Sequence, residues 1–107
     1  MKKSEIFALV LSSVSEVTEL SSETILSKSH REDIAQARML LVFFCYEKGL
    51  YPSQIAGFVG ISRRQISRLI CNASAVLAAC TSSRAQICFF ADAIGTKLGH
   101  NLVAIKS

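Results

Sequence analysis

The sequence predicts an all-α fold, a single domain of five or six helices spanning residues 1–107. Apolar residues recur at three- and four-residue steps through most segments, which is the period of a helix with one buried face. With only five glycines and one proline in 107 residues, few positions can break those segments. Half of the residues are apolar and 19% are charged, a balance that suits one compact core with little disorder. A chain of this length buries one core and has no room for an independent second module.

From Lys3 to about Leu20, the residues Ile6, Val10, Val14 and Val17 form a stripe that Phe7 and Leu11 widen, while Glu16 and Glu19 lie outside it. This is an amphipathic packing helix. Ser21 and Ser22 interrupt it and cap a short helical turn, Glu23 to Ser27, which tucks Ile25 and Leu26 beneath the first helix. Ser29 and Glu32 form a capping box that opens a helix at His30, and Lys48 and Gly49 close it. It is expected to be the longest helix. Its middle, MLLVFFCY, is apolar all round, so it must be enclosed on every side as the central strut, with Phe43 and Phe44 in the core. Tyr51-Pro52 then ends the loop, with Pro52 at a first helical position where its missing amide costs nothing.

Pro52 to Cys71, PSQIAGFVGISRRQISRLIC, demands two short helices joined by a tight turn. Ile55, Ala56 and Val59 make one apolar face, and Ile66, Leu69 and Ile70 another. Gly60 stands between them, where a tight turn needs a positive φ that glycine adopts without a Cβ penalty. Ser62 offers an N-cap oxygen and Gln65 can reach back to the Ser62 amide, so S-R-R-Q reads as a capping box that starts a helix at Arg63. Small Ala56 lets the two helices approach, and Ile66 plugs the angle between them. The stretch resembles the DNA-binding helix-turn-helix pattern.

At 100° per residue, Ile66, Leu69, Ile70, Ala73 and Leu77 cluster on one side of the second helix and leave Arg64, Ser67, Arg68 and Cys71 on the other. Ser62, Arg63 and Gln65 complete this candidate DNA-binding surface. Arginine forks pair with guanine edges or phosphates, and no carboxylate occurs between Ser62 and Ala91 to repel a DNA backbone. The net charge of +4 is uneven: residues 1–61 hold six Lys/Arg against seven Asp/Glu, and residues 62–107 hold six against Asp92 alone. The bland alternative is a solvated basic face on a structural helix.

After Ile70 the helix continues through ASAVLAA and stops near Thr81. Ser83 and Gln86 make another box, opening a last helix of about residues 84–98 with Ile87, Phe90, Ile94 and Leu98 as its buried stripe and Gly99 at its end. The tail HNLVAIKS is too short to classify. MKKSEIFALVLSSVSEV has two lysines before an apolar patch, as a secretory signal does, but Ile6 to Leu11 is only six residues long and Glu5 adjoins it. The longest apolar run elsewhere, Met39 to Tyr46, is far below the roughly 20 residues that span a bilayer. A cytoplasmic protein without membrane contact is therefore expected. Cys45, Cys71, Cys80 and Cys88 show no C-x-x-C pair, so neither a metal site with His30 or His100 nor any cofactor is expected. His30 and His100 have no nucleophile or carboxylate at a recognisable catalytic spacing, which argues against an enzyme.

Residues 17–77 resemble the C-terminal DNA-binding domain of the bacterial chromosomal replication initiator DnaA. The resemblance rests on the leading helix, the turn ending Ile25-Leu26-Ser27-Lys28, the basic loop Ser29-His30-Arg31, the Ala37-Arg38 pair in the long helix, and the helix-turn-helix just after it. By what the resemblance implies, Lys28, His30, Arg31 and Arg38 become candidate phosphate contacts. The family's Gly-Gly-Arg-Asp-His-Thr-Thr-Val is replaced here by Gly60-Ile61-Ser62-Arg63-Arg64-Gln65-Ile66, one residue shorter, so the turn is closer to ordinary repressor-type motifs such as the Trp-repressor-like ones. This stretch also contains no G-x-x-x-x-G-K-[ST] phosphate loop.

The function expected is sequence-specific or sequence-biased binding of double-stranded DNA, in a replication-associated or transcription-regulatory role. The alternative is a helical protein-interaction module in which the motif is only scaffold. One short recognition helix reads few base pairs, and Ala85 to Ala93 is more apolar than a one-sided helix requires, so a homodimer through the C-terminal helix is expected.

Overall fold

A computed structural model describes residues 2–27, 31–79 and 89–98. Those residues are helical or in turns, and the fold is all-α. Its helices are α1 (Lys3–Thr18), α2 (Ser22–Ile25), α3 (Glu32–Glu47), α4 (Pro52–Val59) and α5 (Arg63–Ala79). A sixth segment, α6, covers residues 89–98. The expected Ser83–Gln86 box, Ile87, Gly99 and the tail lie outside the described residues.

The core is laid down along α3, where Ile34, Ala37, Met39, Leu40, Leu41, Val42 and Cys45 are all buried. α1, α2, α4 and α5 each pack against it. Phe7, Val10 and Val14 of α1, Ile25 of α2, Ile55 and Val59 of α4, Ile66 and Ala73 of α5, and Ile94 and Leu98 of α6 close one continuous apolar cluster. α6 reaches α3 where Gly95 faces Phe44: a methyl on Gly95 would lie 3.8 Å from the Phe44 ring. Lys97 of α6 pairs with Glu16 of α1. Phe7 and Phe58 stack with ring centroids 4.8 Å apart, joining α1 to α4.

Several boundaries differ from the sequence expectation, each for a local reason. α1 ends at Thr18, two residues early, because Glu19 turns left-handed at φ 61° and the Ser15 hydroxyl donates to the Leu20 carbonyl. α2 starts one residue early, with the Ser21 hydroxyl accepting from the Thr24 amide at 3.2 Å, and it ends at Ile25. α3 starts at Glu32 with Arg31 as its N-cap residue, two residues after the expected opening at His30, and Ser29 of the expected Ser29–Glu32 box lies outside the described residues. Glu32 and Asp33 in the first turn supply negative charge where the helix end is positive, which favours this later start. Among the described residues the longest helix is α5, with 17 residues against 16 for α3. Enclosure of α3 is also incomplete: Phe43 and Phe44, edge-to-face with one another, are half-buried against the core, and Tyr46 is 46% exposed.

The chain leaves α3 through Gly49 at φ 98° and enters α4 at Pro52, its first residue. The Gln54 side chain organises this entry, because its Oε1 accepts from the Tyr51 amide at 3.0 Å and from Lys3 Nζ at 3.0 Å. The same ammonium lies 4.8 Å from the Tyr51 ring centre.

Ile66 is fully buried where α4 and α5 meet. Ile66→Ala is expected to cost roughly 2–5 kcal/mol, the range for deleting a buried aliphatic side chain. Thermal or urea unfolding of the variant against the wild type measures it.

Candidate functional site

Three residues, Gly60 to Ser62, join α4 to α5. Gly60 adopts φ 84°, in the left-handed region where a Cβ is penalised, and its amide donates to the Ala56 carbonyl at 2.8 Å to finish α4. Ile61 packs on the core and pins the turn. The Ser62 hydroxyl then accepts from the Gln65 amide at 3.3 Å, and its carbonyl accepts from the Ile66 amide at 3.0 Å. α5 therefore begins at Arg63, where the sequence places it.

Burial fixes which way α5 faces. Ile66 and Ala73 are buried, and Leu69, Ile70, Val76 and Leu77 pack against the same core. One helical turn of that face excludes the opposite one, so Arg63, Arg64, Gln65, Ser67, Arg68 and Cys71 are all exposed. No carboxylate among the described residues pairs with Arg63, Arg64 or Arg68. The face is a run of hydrated cations and short polar side chains on a helix held rigidly from beneath.

Beside it lies an open cleft of about 550 Å³. It is lined by Leu26, Ser27 and Arg38, by Val59, Gly60, Ile61 and Ser62 of the turn into α5, and by Gln65, Arg68 and Leu69 of α5 itself. No family model and no curated protein matches the sequence.

The residues expected from the DnaA resemblance divide into three groups. Lys28 and His30 lie outside the described residues. Arg31 is exposed, with its Nε 3.6 Å from Asp33 Oδ1. Arg38 is half-buried, and its guanidinium donates to the carbonyls of Ile25, at 3.2 Å, and of Ser27. The structure thus brings Arg38 and Arg68 to one cleft, a grouping not read from the sequence. An arginine between the buried Ala37 and Met39 was the available signal, since a cation at such a place must find acceptors.

The two described cysteines sit in opposite surroundings. Cys45 is buried in α3, and desolvation pushes its thiol up to about 12 from an ordinary value of 9.0. Cys71 is exposed on the outer face of α5. At pH 8, a thiol reagent is expected to modify Cys71 in the native protein and Cys45 only after unfolding, which peptide mapping would show. Between pH 9.0 and about 12 the unfolded chain has lost a thiol proton that the native chain keeps, so native stability falls as pH rises through that window. Cys45→Ala should flatten that fall in a pH series of melting curves.

Proposed function

We propose that the chain binds double-stranded DNA, with α5 entering the major groove and α4 lying across the backbone. The observation that carries this reading is the exposed face of α5, on which Arg63, Arg64, Ser67 and Arg68 stand without a carboxylate partner among the described residues. An α-helix fits the major groove, where an arginine fork reads guanine O6 and N7, and a serine hydroxyl serves any base edge. A glycine-hinged turn and a capped start, both seen at Gly60 and Ser62, are the construction such a reading helix needs. The resemblance to the DnaA C-terminal domain gives the role its direction, replication-associated or regulatory, with a cytoplasmic location. In this reading Ser62 and Gln65 border the groove, and Arg31 in the basic loop approaches a flanking phosphate together with Lys28 and His30.

A second copy of the chain belongs to the same proposal. One short helix reads only a few base pairs, and a dimer sets two of them one turn of DNA apart. On α6, Phe89 is 68% exposed, a large aromatic surface for a partner to cover. Light scattering at tens of micromolar is expected to give twice the chain mass alone and two chains per duplex when DNA is added; a monomer under both conditions removes the dimer.

A titration of labelled duplex tests the main reading. Arg64→Ala and Arg68→Ala should each cost on the order of 1–3 kcal/mol of binding and blur preference at one base position. Arg31→Ala should weaken all duplexes alike and lower the slope of log K against log salt by about one. These side chains are exposed, so melting should not change. Unaltered affinity in both α5 variants would replace this reading with a protein-interaction module that uses α4 and α5 as scaffold.

A further inference from the structure

Arg38 occupies α3 between two buried residues, Ala37 and Met39, one helical turn from the core positions Ile34 and Leu41. A guanidinium this close to a core is costly unless its donors are satisfied. Nε donates to the carbonyl of Ile25, the last residue of α2, at 3.2 Å. Nη2 donates to the carbonyl of Ser27. The fork therefore grips the chain on both sides of Leu26, and Leu26 and Ser27 line the same cleft as Ser62, Gln65 and Arg68. Four-residue α2 has little hold of its own on that segment. The carbonyl at its end has no partner inside the helix, and Arg38 supplies one.

We propose that Arg38 is a positioning residue of the DNA-binding surface, clamping the end of α2 through the Ile25 and Ser27 carbonyls so that Leu26 and Ser27, which line the cleft, stand at a fixed distance from α5. This rests on the DNA-binding reading and departs from a direct phosphate contact, the role that the DnaA resemblance implies for this arginine. A phosphate contact needs only a positive charge within reach. A clamp on two carbonyls needs the planar fork, because a lysine ammonium on its flexible stem is a point charge and does not reproduce the paired geometry.

Arg38→Lys separates the two. It keeps the charge and loses the fork. Duplex titrations of wild type, Arg38→Lys and Arg38→Ala, with hydrogen exchange at the Leu26 and Ser27 amides and melting curves of each, form the test. The expected result is that Arg38→Lys loses affinity on the order of tenfold, as the loss of charge-assisted hydrogen bonds predicts. Exchange at Leu26 and Ser27 should rise in the same variant while its global melting stays cooperative. Should Arg38→Ala fail to fold, the lysine variant carries the test alone. Arg38→Lys binding as tightly as wild type overturns the proposal, as does lost affinity with exchange at Leu26 and Ser27 unchanged. Wild-type protein without salt-dependent duplex affinity removes the DNA-binding reading itself, and the positioning role falls with it; the first two outcomes leave that reading standing.

Discussion

Covering α3 is the constraint on which the rest of the fold depends. From Met39 to Val42 four consecutive residues are buried, which no single packing partner can achieve on a helix whose side chains point in all directions. The chain meets this by placing α1, α2, α4 and α5 around it and by bringing α6 against Phe44. Each buried Leu, Ile or Val gains roughly 1.5–3 kcal/mol relative to exposure, so the partners are held by apolar area more than by their few ion pairs. The remaining helices have no freedom to choose which face they hide.

The outer surface of α5 follows from that loss of freedom. A shift of one residue in its start would rotate the helix by about 100°, moving Ile66 out and driving a neighbouring arginine or serine towards the core. Burying an unpaired guanidinium costs far more than the turn can recover. Gly60 at φ 84° and the Ser62 cap set the start from one side, while Ile66 and Ala73 set the rotation from the other. Two independent constraints agree on the same register, and Arg64, Ser67 and Arg68 are exposed as a consequence.

Much of this was legible in the sequence because the signals were local. Pro52 at a helix start, Gly60 at a positive φ, Ser62 as a cap and the two faces of α5 depend on residues within a few positions of each other, and all stand where the pattern puts them. What was misread depended on competition between neighbours or on distant partners. The pattern opens α3 at His30, yet the two acids Glu32 and Asp33 favour a start at Glu32. α1 ends at Thr18 without a glycine or proline to announce it, because Glu19 turns left-handed and Ser15 reaches forward to the Leu20 carbonyl. MLLVFFCY could not reveal which residue faced outwards, and Tyr46 does, since coverage is decided by where the other helices lie. The Arg38 clamp and the cleft were hidden for the same reason: Ile25 and Ser27 are eleven or more positions from Arg38, and Arg68 is farther still.

The net charge of +4 is a poor guide to how this molecule meets an anion. At physiological ionic strength the screening length is about 8 Å, so charges on distant helices contribute little at the surface of α5. What counts is which cations are neutralised nearby. Lys97 is paired with Glu16, and Arg31 lies beside Asp33. Arg63, Arg64 and Arg68 have no such acid among the described residues, and the positive end of the α5 dipole lies beneath the first two of them. A local field of one sign, on a helix whose rotation the core fixes, therefore survives screening where the overall charge does not.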